Sequence, residues 1–354
     1  MALGRLQVTD LRCLQTADLI LDPKFTLISG PNASGKTSLL EAIYVLGRGR
    51  SFRTRRLDDL IRRGAERFIV FGEIETTDRR VPIGVEGSSE GVRARIAGAA
   101  AASLADLALM LPVQIIDPEV HKLIEEGPNR RRRYLDWGVF HVEPNFVANW
   151  QRYHQALRQR NAALKLRHAR PIVCAWDSDL IRYAGELTTT RSQYVELLGQ
   201  YARSLTRSLL GMELELSYRA GWPRQLEFPE ALAQSWKLDQ ERGSTQVGPQ
   251  RAELLIHVDG VAAKDHISRG QQKLLAAALL MGQIKLFPGD SLIRPTLLLD
   301  DPAAELDNAH LMQLINEVSL QTNQLVVTTL QEDFAAFGAP GRRFQIANGK
   351  LLGD

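Results

Sequence analysis

The chain has little cysteine. Of its 354 residues only Cys13 and Cys174 are cysteines, and neither lies in a spacing typical of metal ligands. Two cysteines cannot build a disulfide framework, and such a composition is typical of proteins in a reducing compartment. We therefore expect a cytoplasmic location.

Long hydrophobic runs are also missing. The longest apolar stretch, residues 96–116, is interrupted by serine, aspartate, proline and glutamine, which the core of a bilayer would penalise. Residues 1–22 lack the basic segment and the apolar segment of a secretory signal. The sequence therefore predicts neither a membrane span nor a secretory leader.

Charge of one sign is not in large excess. The chain has 44 lysines and arginines against 41 aspartates and glutamates, a net charge of +3. Such a balance permits binding to nucleic acid only through a local basic surface. The length, with 44% apolar residues, allows two domains or one large domain with an insertion.

A glycine loop near the N-terminus carries the strongest motif. Residues 30–37 read Gly-Pro-Asn-Ala-Ser-Gly-Lys-Thr, which matches the phosphate-binding pattern G-x-x-x-x-G-K-[ST]. An apolar run precedes the loop and a helical pattern follows it, as this motif requires, although a glycine-rich turn can match by chance. The sequence predicts nucleoside triphosphate binding by Gly30, Pro31, Asn32, Ala33, Ser34, Gly35, Lys36, Thr37 and Ser38. Lys36 is expected to reach the β- and γ-phosphates, and Thr37 to ligate Mg²⁺.

The pattern along the chain changes twice. The first hundred residues predict strands around one helix, with a hairpin over residues 6–21. Residues 118–210 predict long helices, at 130–139, 146–169 and 177–210. Strands at 214–218, 254–258, 296–299 and 324–329 then alternate with helices at 271–287 and 308–322. We therefore predict one lobe from residues 1–117 and 212–354, interrupted by a helical lobe of residues 118–211.

A second acidic motif lies close to the C-terminus. Thr296 to Asp301 reads as a buried strand that ends in two carboxylates, the form of a Walker B motif. Asp300 is predicted to hold Mg²⁺, and Asp301 to orient or deprotonate the attacking water. Taken alone, an apolar strand that ends in two aspartates is a weak signal.

The segment Ile267 to Lys273 resembles the signature motif of ABC-type ATPases. Ser268 is a natural N-cap, and the first N–H groups of the following helix could face a phosphate. An ordinary capped helix is the alternative, but the position just before the Walker B motif favours a signature formed by Ser268, Arg269, Gly270 and Gln271.

The segments that follow Walker B depart from the usual ABC pattern. Pro302 to Asp307 resembles a D-loop, with Glu305 and Asp307 as its acids. At the switch position, where a histidine is common, the chain has Thr328 and Thr329, and Asp301 replaces the usual glutamate. Neither threonine can accept a proton as imidazole does, so we expect slow hydrolysis, with nucleotide acting as a switch.

The order of these motifs resembles the RecF branch of the SMC-like ABC ATPases. The resemblance rests on residues 30–37, 129–137, 247–251, 268–273 and 298–307, and it departs from the family at Gln250 and Ala304. It implies an α/β fold, namely an ABC-type P-loop ATPase head with an α+β N-terminal sheet, a RecA-like core and an inserted all-helical lobe. It also implies ATP and Mg²⁺ as cofactors and a weak, DNA-dependent ATPase activity.

The same resemblance implies a function and partners. Members of the family act in bacterial DNA replication, recombination and repair and in the SOS response. The chain is expected to dimerise on ATP, to bind duplex DNA, single-strand gaps and their junctions, and to assist loading of the RecA recombinase with the RecR and RecO mediator proteins. The signature of one subunit would contact the γ-phosphate held by the other.

Two further residues are carried over from related ATPase heads. Arg12 is placed where an arginine approaches the nucleotide, and a solvated turn arginine is the equal alternative. Gln114 is placed where a Q-loop glutamine ligates Mg²⁺ and assists catalysis, and an ordinary glutamine of an apolar strand is the alternative.

Two basic clusters are candidates for DNA contact. Arg50, Arg53, Arg55 and Arg56 follow the P-loop helix in a predicted loop, where several guanidinium groups can converge on phosphates. Arg130 to Arg133 lie on a predicted helix and point around most of its circumference. We favour the loop and expect the helical arginines to pair with nearby acids.

Two other classes of protein remain as alternatives. An ABC transporter subunit shares the P-loop, signature and Walker B motifs, but usually has a Gly-Gly signature, a glutamate after Walker B and a switch histidine. A small-molecule P-loop kinase needs the glycine loop but has no reason for a signature helix.

Overall fold

The computed structural model describes residues 1–76, 79–288, 295–302, 324–330 and 339–352. The chain divides into two compact units, one formed by Met1–Val120 with Gly289–Asp354 and the other by His121–Pro288. No helix in the described ranges combines the length and the apolar content needed to cross a membrane.

The strands of the described residues are β1 (Ala2–Leu11), β2 (Leu14–Ile20), β3 (Phe25–Ser29), β4 (Arg67–Glu75), β5 (Arg80–Ser88), β6 (Gly91–Ile96), β7 (Ala99–Ala100), β8 (Val113–Ile116), β9 (Leu214–Arg219), β10 (Glu253–Val258), β11 (Val261–Ala262), β12 (Thr296–Asp300), β13 (Gln324–Thr329), β14 (Arg342–Ala347) and β15 (Lys350–Leu352). The helices are α1 (Lys36–Arg48), α2 (Leu104–Met110), α3 (Lys122–Glu125), α4 (Pro128–Val142), α5 (Phe146–Lys165), α6 (Arg170–Cys174), α7 (Asp177–Leu210), α8 (Phe228–Gln234), α9 (Trp236–Arg242), α10 (Ala263–His266) and α11 (Arg269–Lys285).

The first unit contains an antiparallel sheet built from N-terminal strands. Its order is β2-β1-β4-β5-β6-β7, and buried and exposed residues alternate along β2, β4 and β5, as expected for a sheet with one face on the core. The predicted hairpin over residues 6–21 is confirmed, since β1 pairs with β2 from Arg5↔Ile20 to Leu11↔Leu14.

The second sheet of this unit joins the two ends of the sequence. Its order is β15-β14-β3-β13-β12-β8, with β14, β3, β13, β12 and β8 parallel. Every residue of β3, β12 and β13 is buried, because a parallel sheet is covered on both faces. The predicted strands at 296–299 and 324–329 are confirmed.

Helix α1 lies between these two sheets and contacts strands of both. Leu39, Leu40, Ile43 and Leu46 are completely buried, at the helical spacing that the sequence shows. The Gln324 side chain also joins the sheets: its Oε1 accepts a hydrogen bond from Leu3 N at 2.9 Å, and its Nε2 donates to Leu3 O at 2.8 Å. The P-loop helix is thereby fixed inside the core.

The second unit is mainly helical. Its longest helix, α7, packs against α5 and α11 and has the predicted bounds, with Gly211 in the left-handed conformation as its C-cap (φ 66°). The helix predicted over 146–169 ends earlier, at Lys165, because Arg167 has a left-handed φ of 53°. A small sheet in the order β11-β10-β9 completes the unit.

The compact units and the predicted lobes have different boundaries. Residues 212–288, predicted as part of the first lobe, group with the helices in the second unit. The division into compact units does not show which segments bind nucleotide together. The division into an ATPase head of residues 1–117 and 212–354 and a helical insertion of residues 118–211 stays a prediction.

A buried arginine stabilises the helical unit. Arg160 on α5 is 1% exposed and forms ion pairs with Asp239 at 2.7 Å and with Asp177 at 2.8 Å. The Asp239 side chain is fully buried. Removal of the guanidinium group would leave that carboxylate in the core without its cation.

We predict that Arg160→Met lowers the free energy of unfolding by about 3–5 kcal/mol, the usual cost of breaking a buried ion pair from one side. Arg158→Met, at an exposed position of the same helix, is the control and should change it by less than about 0.5 kcal/mol. Urea unfolding followed by circular dichroism measures both. Equal urea midpoints for Arg160→Met and wild type would contradict a stabilising role for the Arg160 ion pairs.

Candidate nucleotide-binding site

The backbone of the glycine loop has the curvature needed to surround a phosphate. Gly30, Ala33 and Gly35 have φ values of 155°, 60° and 113°, which glycine adopts most easily. A Cβ atom on Gly30 would lie 2.2 Å from the carbonyl oxygen of Ile346. The loop ends where α1 begins, so the free N–H groups of the helix face the loop.

The C-terminal hairpin braces this loop. Gly349 N donates a hydrogen bond to Ser34 O at 2.8 Å, and Ile346 Cδ1 lies 3.1 Å from the Cβ position of Gly35. The turn uses Asn348 and Gly349, both at positive φ. The sequence analysis missed this element, although Asn-Gly between apolar residues is a strong hairpin signal.

Two side chains of the loop are suited to phosphate oxygens. Lys36 Nζ donates to the carbonyl oxygens of Gly30 at 2.7 Å and Pro31 at 2.9 Å. Burial lowers the pKa of the Lys36 amine, against the raising effect of Asp301 and Asp300. Ser34 Oγ is buried and has no hydrogen-bond partner among the described residues. An orphaned hydroxyl beside an ammonium group fits an anionic ligand.

The predicted metal ligands come together at the ends of α1 and β12. Thr37 Oγ1 donates to the Asp300 carboxylate, 3.0 Å from Oδ1 and 2.9 Å from Oδ2, and Thr328 Oγ1 donates to Asp300 Oδ1 at 2.8 Å. A hydroxyl facing a carboxylate fits Mg²⁺, which prefers oxygen ligands. The described residues contain no group of three or more metal-binding side chains, so the remaining ligands would be phosphate oxygens and water.

Asp301 occupies a strained position directly after β12. Its φ is 47°, and its N–H donates to Thr328 Oγ1 at 3.0 Å. Burial, with a smaller contribution from Asp300, raises the pKa of the Asp301 carboxyl, while Lys36 lowers it. A carboxylate with a raised pKa is a better proton acceptor, which suits the predicted catalytic role.

The two switch-position threonines have different contacts. Thr328 holds Asp300 and Asp301, as described above. Thr329 is 1% exposed, and its carbonyl oxygen accepts the N–H of Gly30 at 3.3 Å. Both residues lie at the edge of the sheet where the P-loop begins, and their contact with a γ-phosphate stays a prediction.

Gln114 does not reach this group. In β8 it pairs with Leu297, three residues before Asp300 on β12, which places it about 10 Å from Asp300 along the strand at the usual rise of about 3.3 Å per residue. Its Oε1 instead accepts a hydrogen bond from Arg48 at 3.3 Å. The predicted catalytic and metal-binding roles of Gln114 are corrected: the register favours the alternative of an ordinary strand residue.

Arg12 binds a carboxylate that the sequence analysis missed. In the turn after β1, with a φ of 56°, its Nε and Nη2 donate to both oxygens of Glu41 on α1, each at 2.8 Å. The Glu41 side chain is fully buried. Arg12 is therefore not a solvated turn residue, and its contact with nucleotide stays a prediction. A glutamate within the apolar run of α1 was the available signal.

Glu41 also anchors the loop of arginines that follows α1. Its carboxylate accepts a short hydrogen bond from Ser51 Oγ and lies 3.6 Å from Arg53 Nη1. Ser51 Oγ in turn accepts the N–H groups of Arg53 at 2.9 Å and Thr54 at 3.1 Å. The loop of residues 49–56 is thus attached to the P-loop helix.

The predicted DNA-contacting arginines of this loop are exposed. Arg56 lies 3.8 Å from Asp59, and Arg53 contacts Glu41 as described. Arg50 and Arg55 form no ion pair within the described part of the chain. Their positive charge is available to an external anion.

The second basic cluster is largely committed to internal contacts. Arg130 pairs with Glu126 at 3.4 Å and Arg131 with Glu253 at 2.8 Å. Asp136, an acid on the same helix, pairs instead with Arg191 on α7. An ion pair between residues so far apart in the sequence cannot be recognised from a single sequence.

The signature segment forms a capped helix in the second unit. Ser268 Oγ accepts Gln271 N at 3.3 Å, and Gln271 Oε1 accepts Ser268 N at 2.9 Å, a reciprocal capping box. Arg269 Nη2 lies 3.0 Å from Nε2 of the buried His121. The same Nε2 atom lies 3.4 Å from Glu125 Oε2. Apart from its own helix and chain neighbours, no described residue has an atom within 4 Å of the Cβ position of Gly270. Action of the signature in trans stays a prediction.

The predicted D-loop acids, Glu305 and Asp307, and the helix predicted at 308–322 lie outside the described residues.

Comparison with protein families gives one match over most of the chain. The family model described as the RecF/RecN/SMC N terminal domain matches residues 2–342. The protein named DNA replication and repair protein RecF from Pectobacterium atrosepticum is 37% identical over 99% of this chain and 98% of its own length. Its namesake from Yersinia pestis bv. Antiqua is 36% identical over the same shares.

Solved structures show the same relationship. The recombination mediator protein RecF with ATP, in the RecFOR pathway, has a TM-score of 0.88 and 26% identity and covers 99% of this chain and 97% of its own. An Smc head bound to the C-winged helix domain of ScpA has a TM-score of 0.59 at 18% identity, covering 99% of this chain and 98% of its own, and shares the fold alone.

These matches confirm the predicted α/β class and ABC-type ATPase fold. They also favour the SMC-like assignment over the two alternatives, a transporter subunit and a small-molecule kinase, because they extend over both compact units. The chain belongs to the RecF/RecN/SMC family of ABC-type ATPases, in its RecF branch.

Proposed function

We propose that the chain is an ATP-dependent DNA-binding protein of replication, recombination and repair, in which nucleotide controls dimerisation. The observation that carries the proposal is the contact between Thr37 and Asp300, 263 residues apart, which unites the glycine loop with the acidic strand. The names of the relatives, a DNA repair protein and a recombination mediator bound to ATP, support the same function.

In the nucleotide step, the phosphates would be bound by backbone N–H groups of residues 30–37, by Ser34 Oγ and by Lys36, and Thr37 and Asp300 would hold Mg²⁺. When bound, the cation would neutralise negative charge on the phosphate oxygens. Asp301 accepts a proton from water or orients it. Hydrolysis is weak, DNA-dependent and serves release, since neither Thr328 nor Thr329 replaces the proton acceptor of a switch histidine.

We predict that Asp301→Asn lowers the turnover number for ATP by about 10²–10⁴, the usual contribution of a general base, and leaves ATP binding intact. Turnover should fall on acidification at a pH above the ordinary aspartate value of about 3.9, because the pKa of Asp301 is raised and the protonated acid cannot accept a proton.

The measurements are steady-state ATPase activity against pH and ATP affinity by calorimetry. Glu90→Gln, in an exposed hairpin turn, is the control. Unchanged turnover for Asp301→Asn would remove the residue from the catalytic role.

The dimer is proposed to place the signature residues Ser268, Arg269, Gly270 and Gln271 against nucleotide bound by the other subunit. The capped N-terminus of α11, a helix of 17 residues, supports this role because its first N–H groups favour an anion.

We predict that Ser268→Asp prevents ATP-driven dimerisation, since aspartate caps a helix as well as serine does but repels a phosphate. Ser268→Arg should block it by the size of the side chain, at the additional cost of the cap. Sedimentation velocity with and without ATP measures association, with the exposed Ser208→Asp as control. A monomeric wild type in ATP, or normal dimerisation of both variants, would refute the trans arrangement.

DNA is proposed to contact Arg50, Arg53, Arg55 and Arg56. Their exposure supports contact with phosphates, which confers affinity without sequence preference. Attachment of the loop to α1 through Glu41 links it to the element that binds nucleotide.

We predict that replacing Arg53, Arg55 and Arg56 together by alanine weakens DNA binding, because each lost phosphate contact reduces the slope of log K against log salt by about 0.9. Fluorescence anisotropy with gapped DNA over a salt series measures this slope. Arg93→Ala, which breaks an exposed ion pair with Glu90, is the control. An unchanged slope in the triple variant would exclude this loop, and ATP affinity should be the same in all the proteins.

Gapped DNA, the RecR and RecO mediators and RecA loading complete the proposal. They are supported by the relatives' place in the RecFOR pathway. Displacement of single-strand binding protein by RecA on gapped DNA, with and without this chain, tests the last step.

A further inference from the structure

One loop of the second unit is bound by side chains from several helices. The loop of residues 244–252, here called the GPQR loop, contains the Val-Gly-Pro-Gln-Arg motif. Three arginines from three helices bind it: Arg191 donates to Pro249 O at 2.9 Å, Arg132 to Ala252 O at 2.7 Å and Arg160 to Thr245 Oγ1 at 2.8 Å.

Two glycines fix the backbone of the GPQR loop in one conformation. Gly248 has a φ of 124°, and a Cβ atom there would lie 2.6 Å from the hydroxyl of Tyr153. Gly221 has a φ of 97°, and its Cβ would lie 2.2 Å from Gly248 O. Buried arginines add little to stability compared with apolar packing. They hold one loop geometry, which is what a preformed binding surface needs.

The charges around the GPQR loop do not balance. Arg131 pairs with Glu253 at 2.8 Å, and Arg191 with Asp136 at 2.7 Å. Arg132 and Arg251 have only neutral acceptors, namely Ala252 O and Asn129 Oδ1 for Arg132 and Gln246 Oε1 for Arg251. Within the part of the chain that the structure describes, neither forms an ion pair. Burial lowers the pKa of Arg132; the nearby carboxylates of Glu253 and Asp136 raise it, while the proximity of Arg191 and Arg251 lowers it further.

Two guanidinium groups that form no ion pair in the described part of the chain, and that lie close enough to influence each other's charge, attract an anion. Arg251 is exposed and Arg132 is partly exposed, so a ligand can reach both. A third exposed arginine, Arg219, stands opposite Glu253 in the pairing of β9 with β10. Several such charges on one unit fit a polymer of phosphates better than a single phosphate group.

We propose that Arg132 and Arg251 form a second contact for the phosphate backbone of DNA, on the helical unit and separate in sequence from the loop of residues 49–56. The inference rests on the proposed DNA-binding function and extends it to the GPQR loop. The fixed backbone presents Arg251 in a constant position, so little side-chain order is lost on binding.

The test replaces Arg251, because Arg132 also holds the backbone. Arg251→Gln and Arg251→Glu are compared with Arg251→Lys, which retains the charge, and with Arg158→Gln, an exposed arginine of the same unit. Anisotropy with gapped DNA over a salt series should show the slope reduced by about 0.9 in Arg251→Gln, weaker binding still in Arg251→Glu, and a slope close to wild type in Arg251→Lys and Arg158→Gln.

Further measurements separate the possible anions. If Arg251→Gln changes ATP affinity or ATP-driven dimerisation but not the DNA slope, the site binds nucleotide and the proposal is overturned. An unchanged slope with unchanged ATP binding overturns it as well. If wild-type protein does not bind DNA at all, the proposed function itself fails. If DNA binding is lost in the Arg53, Arg55 and Arg56 variant but Arg251→Gln binds DNA with the wild-type salt slope, only the present inference fails and the proposed function stands.

Discussion

The candidate site depends on the parallel register of three strands. β13 lies between β3 and β12, so Thr329 is opposite Ser29 while Thr328 is opposite Asp300. The carboxyl ends of the three strands therefore meet at one edge of the sheet, the usual position of ligand sites in parallel sheets. A one-residue shift would turn Asp300 and Thr328 to the opposite faces of their strands. All the contacts between the glycine loop and the acids follow from this register.

Helix α1 connects the two ends of the proposed function within the first unit. Its first turn supplies Lys36 and Thr37, and Glu41, five residues further on, receives Arg12, Ser51 and Arg53. A buried carboxylate without its cations would be strongly destabilising, so the turn after β1 and the arginine loop are bound to the helix. The exposed arginines are therefore connected to the helix that carries Lys36 and Thr37 by a contiguous network of hydrogen-bonded groups.

Local patterns were sufficient for much of the fold. The apolar run 324–329 and the helical spacing of 177–210 gave the observed bounds, because each depends on periodicity within one segment. The P-loop and Asp300 could be recognised from local motifs. The position of Gln114 relative to Asp300 could not, because it depends on the register of β8 against β12. Glu41, His121 and Arg191 were missed for a related reason: their partners lie on other elements, and a single sequence does not show pairing over such distances.

Both units use a buried charged side chain, Glu41 in the first and Arg191 in the second, to fix a loop that carries exposed arginines. In the first unit Glu41 holds residues 49–56 through Ser51 and Arg53, and in the second Arg191 and Arg132 hold the GPQR loop. An apolar core of the same volume would stabilise the fold at least as well. It could not satisfy the carbonyl groups of an irregular loop, which must be hydrogen-bonded when buried. The buried polar contacts therefore allow a segment without regular secondary structure to present guanidinium groups at fixed positions. Electrostatic binding of a regular polyanion depends on such positions.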